Sequence, residues 1–423
     1  MTRLPRFHSL ERIIEIKSIL LWLIECLKSF GGLADKKIKR IKYLKKFKFK
    51  ISFLAAAALL LVATSSASAT WSFTTVSDTY GGLEGGLNAS LISAFEHHSD
   101  IQFIVATGDF ENLSTIDSNI QSSLKQYFSG QTYVPWFTAI GNHNAENSSR
   151  MSWISGTLGP RLATQLPGMT HFKEGPYHTS NFWEGRYTTY SFDYQNAHFI
   201  IWNEYYGDSA SHINNGIPMA CVLDSTYDWV AQDLAANTQP LIFVFVHEPA
   251  FVHESSSNHC GDSLDEDQCA GNMAAPPDDW KAYRPMRDKY WALLRQYNVV
   301  AQFDGHIHEP SQRAVKGWSD FPTAGCIDTD WNCYCSVEGE VPQISNGANL
   351  TSANGVIEFN SGLTAENGPV NIIRVDGNKV TFLVYDRNSS SGALTLSKQF
   401  TYTASGSPAD ATPPAPPIGV RVK

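Results

Sequence analysis

Five times along this chain, a short hydrophobic segment runs directly into a polar motif rich in glycine, aspartate, asparagine or histidine. Four of these segments, residues 71–77, 101–107, 134–140 and 241–246, have the composition of buried strands, and the fifth is residues 299–304. Residues 87–98, 114–128, 225–236 and 279–297 have the spacing of amphipathic helices. Because strands and helices alternate, we predict a layered α/β domain with a largely parallel or mixed sheet.

Two later pairs of segments alternate apolar and polar residues and are separated by turns. Residues 187–194 and 198–203 form one predicted hairpin, and residues 370–374 and 379–385 form another around Asp376 and Gly377. We therefore expect a second sheet that is richer in antiparallel pairs. Since residues 70–402 are a long stretch for a single core, we predict a four-layer α/β/β/α sandwich of two mixed sheets flanked by helices.

The first 69 residues differ from the rest and are predicted to be an N-terminal extension plus a signal peptide. A basic run at 36–50 precedes an apolar stretch at 51–63 and the small residues Ala67, Ser68 and Ala69, as in a secretory signal. Cleavage there would leave Thr70 as the first mature residue. An uncleaved anchor is less favoured because a membrane span needs about 20 apolar residues. We expect export to the periplasm or outside the cell, with no membrane span in the mature chain.

The mature chain is strongly acidic. Residues 1–70 hold 14 of the 32 Lys and Arg and 4 of the 41 Asp and Glu, so residues 71–423 carry 18 basic and 37 acidic side chains, a net charge of −19. Nucleic acids need clustered Lys and Arg, so we predict no nucleic-acid-binding surface. Phosphate chemistry is still compatible with this charge, because bound cations invert the local charge of a pocket.

Six of the seven cysteines follow the leader: Cys221, Cys260, Cys269, Cys326, Cys333 and Cys335. An even number in an exported protein predicts disulfides, with fifteen possible pairings. A zinc site is the alternative, but the C-x-C spacing lacks a matching second half.

Residues 253–280 form a polar insertion and residues 403–423 a Pro-rich linker. Residues 70–402 remain as the folded domain, of unknown oligomeric state.

The polar motifs have the residue types of a metal site. They are SDTYG at 77–81, GDFEN at 108–112, GNHN at 141–144, HEP at 247–249 and GHIH at 305–308. Ligand crevices form at the carboxyl ends of strands in α/β sheets. Aspartate, asparagine and histidine without thiolate suit Fe, Mn, Zn or Mg. Two such ions about 3.5–4 Å apart can share a carboxylate and a hydroxide that attacks phosphorus in line.

In this order the motifs resemble those of the calcineurin-like metallophosphoesterase superfamily, which includes the secreted purple acid phosphatases. That pattern is D-x-[H], GD-x-x-[D/N], GNH, H and GHxH, and the resemblance extends over residues 71–386. Each motif alone is a weak signal, but five in order, each after a predicted strand, are a strong one. The resemblance implies that residues 70–402 are a metallophosphoesterase domain with two divalent or trivalent ions (Fe, Mn or Zn).

The resemblance also implies a role for each matching residue. Asp109 is expected to bridge the two ions. One ion is expected to be held also by Asp78 and His308, and the other by Asn142, His247 and His306. His143 is expected to face the phosphate and to stabilise it or to protonate the leaving oxygen.

Two positions depart from the family pattern. Tyr80 stands where histidine is usual. Purple acid phosphatases use a tyrosinate, but three residues after the bridging aspartate, which here is Asn112. Tyr80 is therefore a ligand from another strand end, a hydrogen-bonding neighbour or a pocket wall. Asn144 replaces the common acidic residue after GNH, which would remove a carboxylate that orients His143.

A few other polar residues lie near predicted strand ends. Asn203 and Glu204 close a strand and are further pocket candidates, and Glu248 follows a predicted ligand. His198 lies within a strand pattern, so we expect it to be packed or hydrogen-bonded.

Three functions are compatible with these residues. The first is an exported phosphoesterase that hydrolyses small phosphate monoesters. The second is a phosphodiesterase acting on cyclic nucleotides or phospholipid head groups, since the same metals and His143 serve both reactions. The third, from a different class, is a non-catalytic metal-binding surface protein, for which Tyr80 and Asn144 are the support.

Overall fold

Two seven-stranded mixed β-sheets lie face to face in the computed structural model of this protein. The structure describes residues 70–79, 84–176, 186–205, 213–214, 217–218, 220, 222, 224–251, 285–317, 320, 342–364 and 368–404. Over these ranges, no helix has both the length and the apolar character that a membrane crossing requires. Several predictions concern residues outside these ranges: the leader, Tyr80, the six cysteines of the mature chain, the insertion at 253–280 and all but the first two residues of the linker at 403–423.

The strands of the described residues are β1 (Trp71–Val76), β2 (Ile101–Ala106), β3 (Trp136–Thr138), β4 (Met169–Glu174), β5 (Tyr190–Tyr194), β6 (Ala197–Ile201), β7 (Ile213–Asn214), β8 (Ile217–Pro218), β9 (Leu241–Phe245), β10 (Ala301–Asp304), β11 (Ser311–Val315), β12 (Asn349–Leu350), β13 (Val356–Asn360), β14 (Val370–Asp376), β15 (Lys379–Arg387) and β16 (Leu394–Thr403). The α-helices are α1 (Glu84–His97), α2 (Leu113–Ser123), α3 (Asn142–Ala145), α4 (Ser148–Trp153), α5 (Gly159–Leu162), α6 (Asp224–Ala236) and α7 (Pro285–Gln296). Short 3₁₀ turns at Lys125–Tyr127 and Ser352–Asn354 and a π turn at Ile154–Leu158 complete the list.

The first sheet has the strand order β12-β16-β15-β14-β1-β2-β3. Strands β1, β2 and β3 are parallel neighbours, as expected for strands joined by helical crossovers. The antiparallel strands β14, β15 and β16 extend the sheet from the other side of β1. The carboxyl ends of β1, β2 and β3 therefore lie side by side at one edge of the sheet.

The second sheet has the order β11-β13-β10-β9-β6-β5-β4. Its four central strands, β13, β10, β9 and β6, are parallel, and β11, β5 and β4 pair antiparallel at the two sides. Strands β7 and β8 form a separate two-stranded pair. This sheet contributes four adjacent carboxyl ends.

The prediction that one sheet is richer in antiparallel pairs is wrong. Each large sheet, as described, has three parallel pairings and three antiparallel ones. The reason is that the two predicted hairpins separate. The β5–β6 hairpin extends the second sheet, whereas the β14–β15 hairpin returns to pair with β1 in the first. Pairing between residues so far apart in the chain is decided by tertiary packing and not by local pattern.

Aromatic side chains fill the space between the sheets. The ring of Phe73 on β1 stacks on that of Phe103 on β2, with centroids 5.5 Å apart. Across the interface, Phe73 meets Phe199 and Phe243 edge to face at 5.4 and 5.3 Å. Edge-to-face pairs are the favoured geometry for aromatic rings and add about 0.5–1.5 kcal/mol each beyond burial. This core holds the two ligand-bearing sheet edges together.

Helices cover the outer face of each sheet. Because successive side chains in a strand point to opposite faces, residues next to the inward phenylalanines point outward. On the first sheet, residues such as Leu91 of α1 and Ile120 of α2 belong to the same core as Ile104. On the second sheet, Val230 of α6 and Leu294 of α7 pack with Val244. The predicted four-layer α/β/β/α sandwich of two mixed sheets is confirmed.

Candidate metal centre

The six predicted ligands other than Tyr80 all lie at one edge of the sandwich, just past the carboxyl ends of β1, β2, β3, β9 and β10. Four of them have a left-handed backbone, with φ of 47° at Asp78, 56° at Asp109, 65° at His306 and 61° at His308. Residues other than glycine rarely adopt this conformation, which costs about 1–3 kcal/mol where the surrounding structure enforces it. These four strained residues lie in motifs that the sequence predicts to bind metal.

One half of the centre is formed around His247. Its Nε2 atom lies 3.1 Å from Asp109 Oδ2. The same nitrogen lies 3.2 Å from Asn142 Oδ1 and 3.2 Å from His306 Nδ1. Among the residues that the structure describes, Asp109, His247 and His306 form a buried group whose ligand atoms all lie within 4.8 Å of one another. Four donor atoms from four loops therefore converge on one point.

This geometry fits a bound cation. Ligands on a metal with bonds of about 2.0–2.1 Å are separated from one another by roughly 3.0–3.4 Å, as these atoms are. The opposite nitrogen of His247, Nδ1, lies 2.7 Å from the carbonyl oxygen of Thr107. Donation to that carbonyl places the ring proton on Nδ1 and points the lone pair of Nε2 at the other ligands. Lone pairs that face one another repel, and a proton or a metal ion between them removes the repulsion.

Charge effects within the pair of Asp109 and His247 are large. Burial disfavours the charged form of each, but their mutual attraction outweighs burial. It raises the pKa of His247 to about 10 and lowers the pKa of Asp109 to about 2. The site is thus electrostatically prepared to hold one positive charge next to the carboxylate.

The other half of the centre contains Asp78 and His308. His308 Nε2 lies 3.5 Å from Asp78 Oδ1. The backbone N–H of His306 donates to both oxygens of Asp78 at 3.1 Å, and the hydroxyl of Ser77 donates to Oδ2. Asp78 is fully buried, while the His308 side chain is 19% exposed. This half has two of its predicted ligands in place, and Tyr80, its third candidate, lies outside the described residues.

The motif glycines allow the loops to approach closely. Gly108 has φ of +99°, and a Cβ atom there would lie 2.7 Å from the nitrogen of Gly141 and 2.8 Å from Nδ1 of His247. Only glycine lets the second motif pass against the third at this distance.

His143 lies at the rim of this centre, on α3. Its backbone N–H donates to Asp109 Oδ1 at 2.9 Å, and its side chain is 36% exposed. Its Nδ1 atom lies 3.8 Å from Glu111 Oε1 and 3.7 Å from Glu146 Oε2. Carboxylates are therefore present beside this ring.

The interpretation of Asn144 as the loss of a carboxylate that orients His143 is not supported by its position. The Asn144 amide is buried and bonds to the backbone of Asp109, Gly141 and Phe110. Even an acidic residue at this position would face those loops and not the His143 ring.

Glu204, a pocket candidate from the sequence, lies directly behind the first half. Its Oε1 atom accepts from the backbone N–H of His247 at 3.0 Å and from that of Glu248 at 2.5 Å. Glu248 in turn accepts from the hydroxyl of Tyr205 at 2.5 Å. Burial raises the pKa of Glu204 to about 8. These contacts fix the loop that presents His247.

Sequence reasoning missed a further support, the segment that follows β13. The amide of Asn360 donates to the carbonyl of Gly305 and to Asp304 Oδ1. The backbone N–H of Thr364 donates to the carbonyl of Ser77 at 3.0 Å, and the Thr364 hydroxyl accepts from Ser77 N–H at 2.9 Å. The signal was present, because residues 356–362 repeat the arrangement of a hydrophobic strand followed by polar residues and glycine.

Comparisons with known proteins point to one family. The family model described as calcineurin-like phosphoesterase matches residues 72–310, more than half of the chain. No curated protein sequence matches it.

Two solved structures are among those similar to this chain. A purple acid phosphatase from yellow lupin (Lupinus luteus) seeds is 15% identical with a TM-score of 0.46, and the match covers 79% of this chain and 54% of that one. Vacuolar Protein Sorting 29 from Cryptosporidium parvum is 10% identical with a TM-score of 0.29, covering 79% and 98%. This chain thus spans about half the length of the lupin protein.

Proposed function

Since this chain belongs to the calcineurin-like phosphoesterase family, whose members are metal-dependent phosphoric ester hydrolases, we propose that it hydrolyses small phosphate monoesters with two metal ions, outside the cytoplasm. The observation that carries the proposal is the convergence of donor atoms around His247 Nε2, at 3.1 Å from Asp109 and 3.2 Å from Asn142 and His306. Nitrogen and oxygen donors without thiolate favour Fe, Mn or Zn at such a site.

The ligand set divides into two groups that share Asp109. His247, His306 and Asn142 would hold one ion with Asp109, and Asp78 and His308 would hold the other. When bound, the ions make water more acidic and neutralise the negative charge of the phosphate. Asp109 is suited to the shared position because its Oδ1 atom is fixed by the N–H of His143 while Oδ2 points at His247.

His143 is placed to act on the substrate. Its backbone is fixed to Asp109, so the ring is attached next to the ligands, and its partial exposure leaves it accessible to a phosphate ester. The ring can then donate a hydrogen bond to a phosphate oxygen or a proton to the leaving oxygen. A general acid in this position contributes about 10²- to 10⁴-fold to the rate.

Export is the second part of the proposal, and it is supported by the basic run, the short apolar stretch and the small residues before Thr70. N-terminal sequencing of the protein recovered from the medium or periplasm tests it. We expect the sequence to start at Thr70, and retention of the whole chain in the membrane fraction would contradict it.

Turnover of two chromogenic substrates tests the reaction. With added Mn²⁺ or Zn²⁺, we expect p-nitrophenyl phosphate to be hydrolysed faster than bis-p-nitrophenyl phosphate. Asp109→Asn should lower the rate by more than about 100-fold. Even the loss of a residue that only contacts a metal ligand lowers metal affinity or activity by about 10- to 100-fold. Asp376→Asn, an exposed aspartate in the β14–β15 turn, is the matched control and should keep the wild-type rate.

The other outcomes identify the alternatives. Faster hydrolysis of the diester would indicate a phosphodiesterase. Two bound metals without turnover of either substrate would indicate a metal-binding protein without catalysis, and fewer than two metals per chain would contradict the two-ion proposal. A visible absorption band that disappears in Tyr80→Phe would assign Tyr80 to ferric iron.

A further inference from the structure

Asn144 connects two of the ligand loops through one buried side chain. Its Oδ1 atom accepts from the backbone N–H of Asp109 at 2.9 Å and from that of Gly141 at 3.1 Å. Its Nδ2 atom donates to the carbonyl oxygen of Phe110 at 2.8 Å. The residue is only 1% exposed. A single amide therefore satisfies three backbone groups on either side of the junction between the second and third motifs.

These backbone groups need such a partner. At Asp109 the chain turns into a left-handed conformation with φ of 56°, so it leaves the β2 ladder. Gly141 lies at the end of the segment that follows β3 and directly precedes α3. The N–H groups at the start of a helix have no partner within the helix. A buried backbone N–H without an acceptor costs about 1–3 kcal/mol. Without Asn144, two such groups at the ligand loops would lose their acceptor.

The chemistry of the position requires an amide. The two N–H groups need an acceptor, while the Phe110 carbonyl needs a donor, and a neutral amide offers both. A carboxylate would keep the two acceptor contacts but would place an oxygen against the Phe110 carbonyl. An alanine would remove all three contacts.

The ligands depend on this connection. The amide fixes the backbone of Asp109 on one side and, on the other, the start of α3, which carries Asn142 and His143. The N–H of His143 donates back to Asp109 Oδ1 at 2.9 Å, which closes a ring of contacts through the carboxylate. A displacement of the Asn144 oxygen therefore moves Asp109 relative to Asn142.

We infer that Asn144 is a positioning residue, which sets the distance between the Asp109 carboxylate and the Asn142 amide oxygen before a metal binds. This inference rests on the proposed function, since it assigns these two side chains to a metal. Ligands that are held in place before binding give tighter sites than ligands that must be ordered on binding.

Zinc affinity tests the inference directly. Competition of Zn²⁺ between the protein and a chromophoric chelator gives the affinity of the tighter site. Asn144→Ala should lower that affinity by roughly 10- to 100-fold, the usual cost of losing a partner outside the ligand set. Asn144→Asp keeps both acceptor contacts but turns an oxygen toward the Phe110 carbonyl, so its loss of affinity should be smaller, below about tenfold. With p-nitrophenyl phosphate, kcat should fall in Asn144→Ala while KM changes little.

Asn196→Ala is the matched control. The Asn196 side chain also joins two parts of the chain, since Nδ2 donates to the backbone carbonyl of Gly377 at 2.7 Å and Oδ1 accepts from the indole of Trp71 at 3.3 Å. It lies at the opposite edge of the sandwich, so its loss should lower the melting temperature without changing zinc affinity. Should Asn144→Ala not fold, Asn144→Ser replaces it, because a shorter hydroxyl reaches fewer of the three groups.

The possible results separate the two claims. Wild-type protein that binds neither zinc nor, in the same competition, manganese or iron would contradict the proposed function. Wild-type protein that binds zinc, with equal affinity in the folded Asn144→Ala or Asn144→Ser variant, would overturn the positioning role alone. Equal losses in the Ala and Asp variants would also overturn it, because the acceptor oxygen would not be the atom that matters.

Discussion

At the scale of single residues, the candidate centre is a place where the backbone is held in unfavourable conformations. Asp78, Asp109, His306 and His308 all have positive φ, and all are predicted ligands. The surrounding contacts supply the compensation: Asp78 accepts from the N–H of His306, and Asp109 contacts His143 and Asn144. Backbone strain thus recurs at three of the five motifs, as is common where a site holds its ligands in fixed positions.

Gly108→Ala should damage the centre beyond its backbone cost. A Cβ atom there would meet Gly141 N at 2.7 Å and His247 Nδ1 at 2.8 Å, and φ is +99°. We expect a loss of about 1–3 kcal/mol of unfolding free energy from conformation alone, with a further loss from displacement of His247. Urea denaturation measures the first and zinc affinity the second.

Gly130→Ala is the control for that variant. Gly130 also has a positive φ of +82°, but nothing lies within 4 Å of a Cβ atom built on it. It should show the conformational cost with unchanged zinc affinity. Equal effects of the two substitutions on affinity would contradict the steric argument.

The ligands could be predicted from the sequence because each lies two to four residues past the end of a strand, and strand pattern is local. The contacts of the supporting residues could not, even where the sequence pattern drew attention to the segment. Asn360 and Thr364 reach Gly305 and Ser77 only after β13 inserts beside β10. Asn144 was interpreted from its neighbour His143, yet its contacts are with loops that the sequence does not bring together.

At the scale of elements, α6 is fastened to the second sheet by a buried histidine. His198 on β6 lies with Nδ1 2.6 Å from Asp193 of β5 and Nε2 2.9 Å from Asp233 of α6. Lys173 Nζ lies 3.0 Å from Asp233, and His171 Nδ1 lies 2.9 Å from Asp193. Both nitrogens of His198 face carboxylates, so the ring donates twice only when it is protonated. The prediction that His198 is packed or hydrogen-bonded is confirmed.

This cluster makes stability depend on pH. Burial alone would lower the pKa of His198, but hydrogen bonds and charges from Asp193 and Asp233 outweigh it and raise the pKa above its usual value. The stabilisation is complete below the unfolded-state pKa of about 6.5 and is lost as pH rises through the raised folded-state value. Burial raises the pKa of Asp193 and Asp233, but contacts with His198 lower it overall. Their contribution is present above their unfolded-state values and is lost as pH falls through the lowered ones.

His198→Gln measures the effect. At pH 6 the variant should be less stable by on the order of 3 kcal/mol, because it removes the buried cation that lies between the two carboxylates. The difference in melting temperature from wild type should shrink as pH rises from 6 toward 10. A difference that stays constant over this range would show that the charge of His198 does not contribute.

At the scale of the whole molecule, the candidate centre joins the two sheets. Asp78, Asp109 and Asn142 follow strands of the first sheet, whereas His247, His306 and His308 follow strands of the second. An ion that binds ligands from both sheets connects the two halves of the sandwich, in addition to the aromatic core between them.

Removal of metal should therefore destabilise the entire domain. A ligand that binds only the native state at 100 times its dissociation constant adds about 2.7 kcal/mol. We expect EDTA to lower the melting temperature of the wild-type protein measured by calorimetry, and Zn²⁺ to restore it. Asp109→Asn should respond much less to either, and an equal response would argue against Asp109 as a shared ligand.

Which strands pair within the same sheet was the part of the architecture that was hardest to predict from the sequence. Strands β1, β2 and β3 are linked by short crossovers, and their parallel order follows from that. Strand β14 pairs with β1 across almost 300 residues, as in the register of Trp71 with Val375. No local pattern specifies that partner, and the burial of both faces of β1 decides it.

Because the metal ligands follow the carboxyl ends of the parallel strands, the turns at the opposite edge of the sandwich can change in sequence without moving the ligands. At the edge opposite the ligands lie the β5–β6 turn, with Gln195 exposed, and the β14–β15 turn, where Gly377 has open space around it. Asn196 bonds one turn to the other. Loop tips of this kind accept inserted sequence with little effect on the rest of a domain. Affinity tags, binding peptides or whole modules could be grafted at Gly377 while the spacing of the metal ligands stays intact.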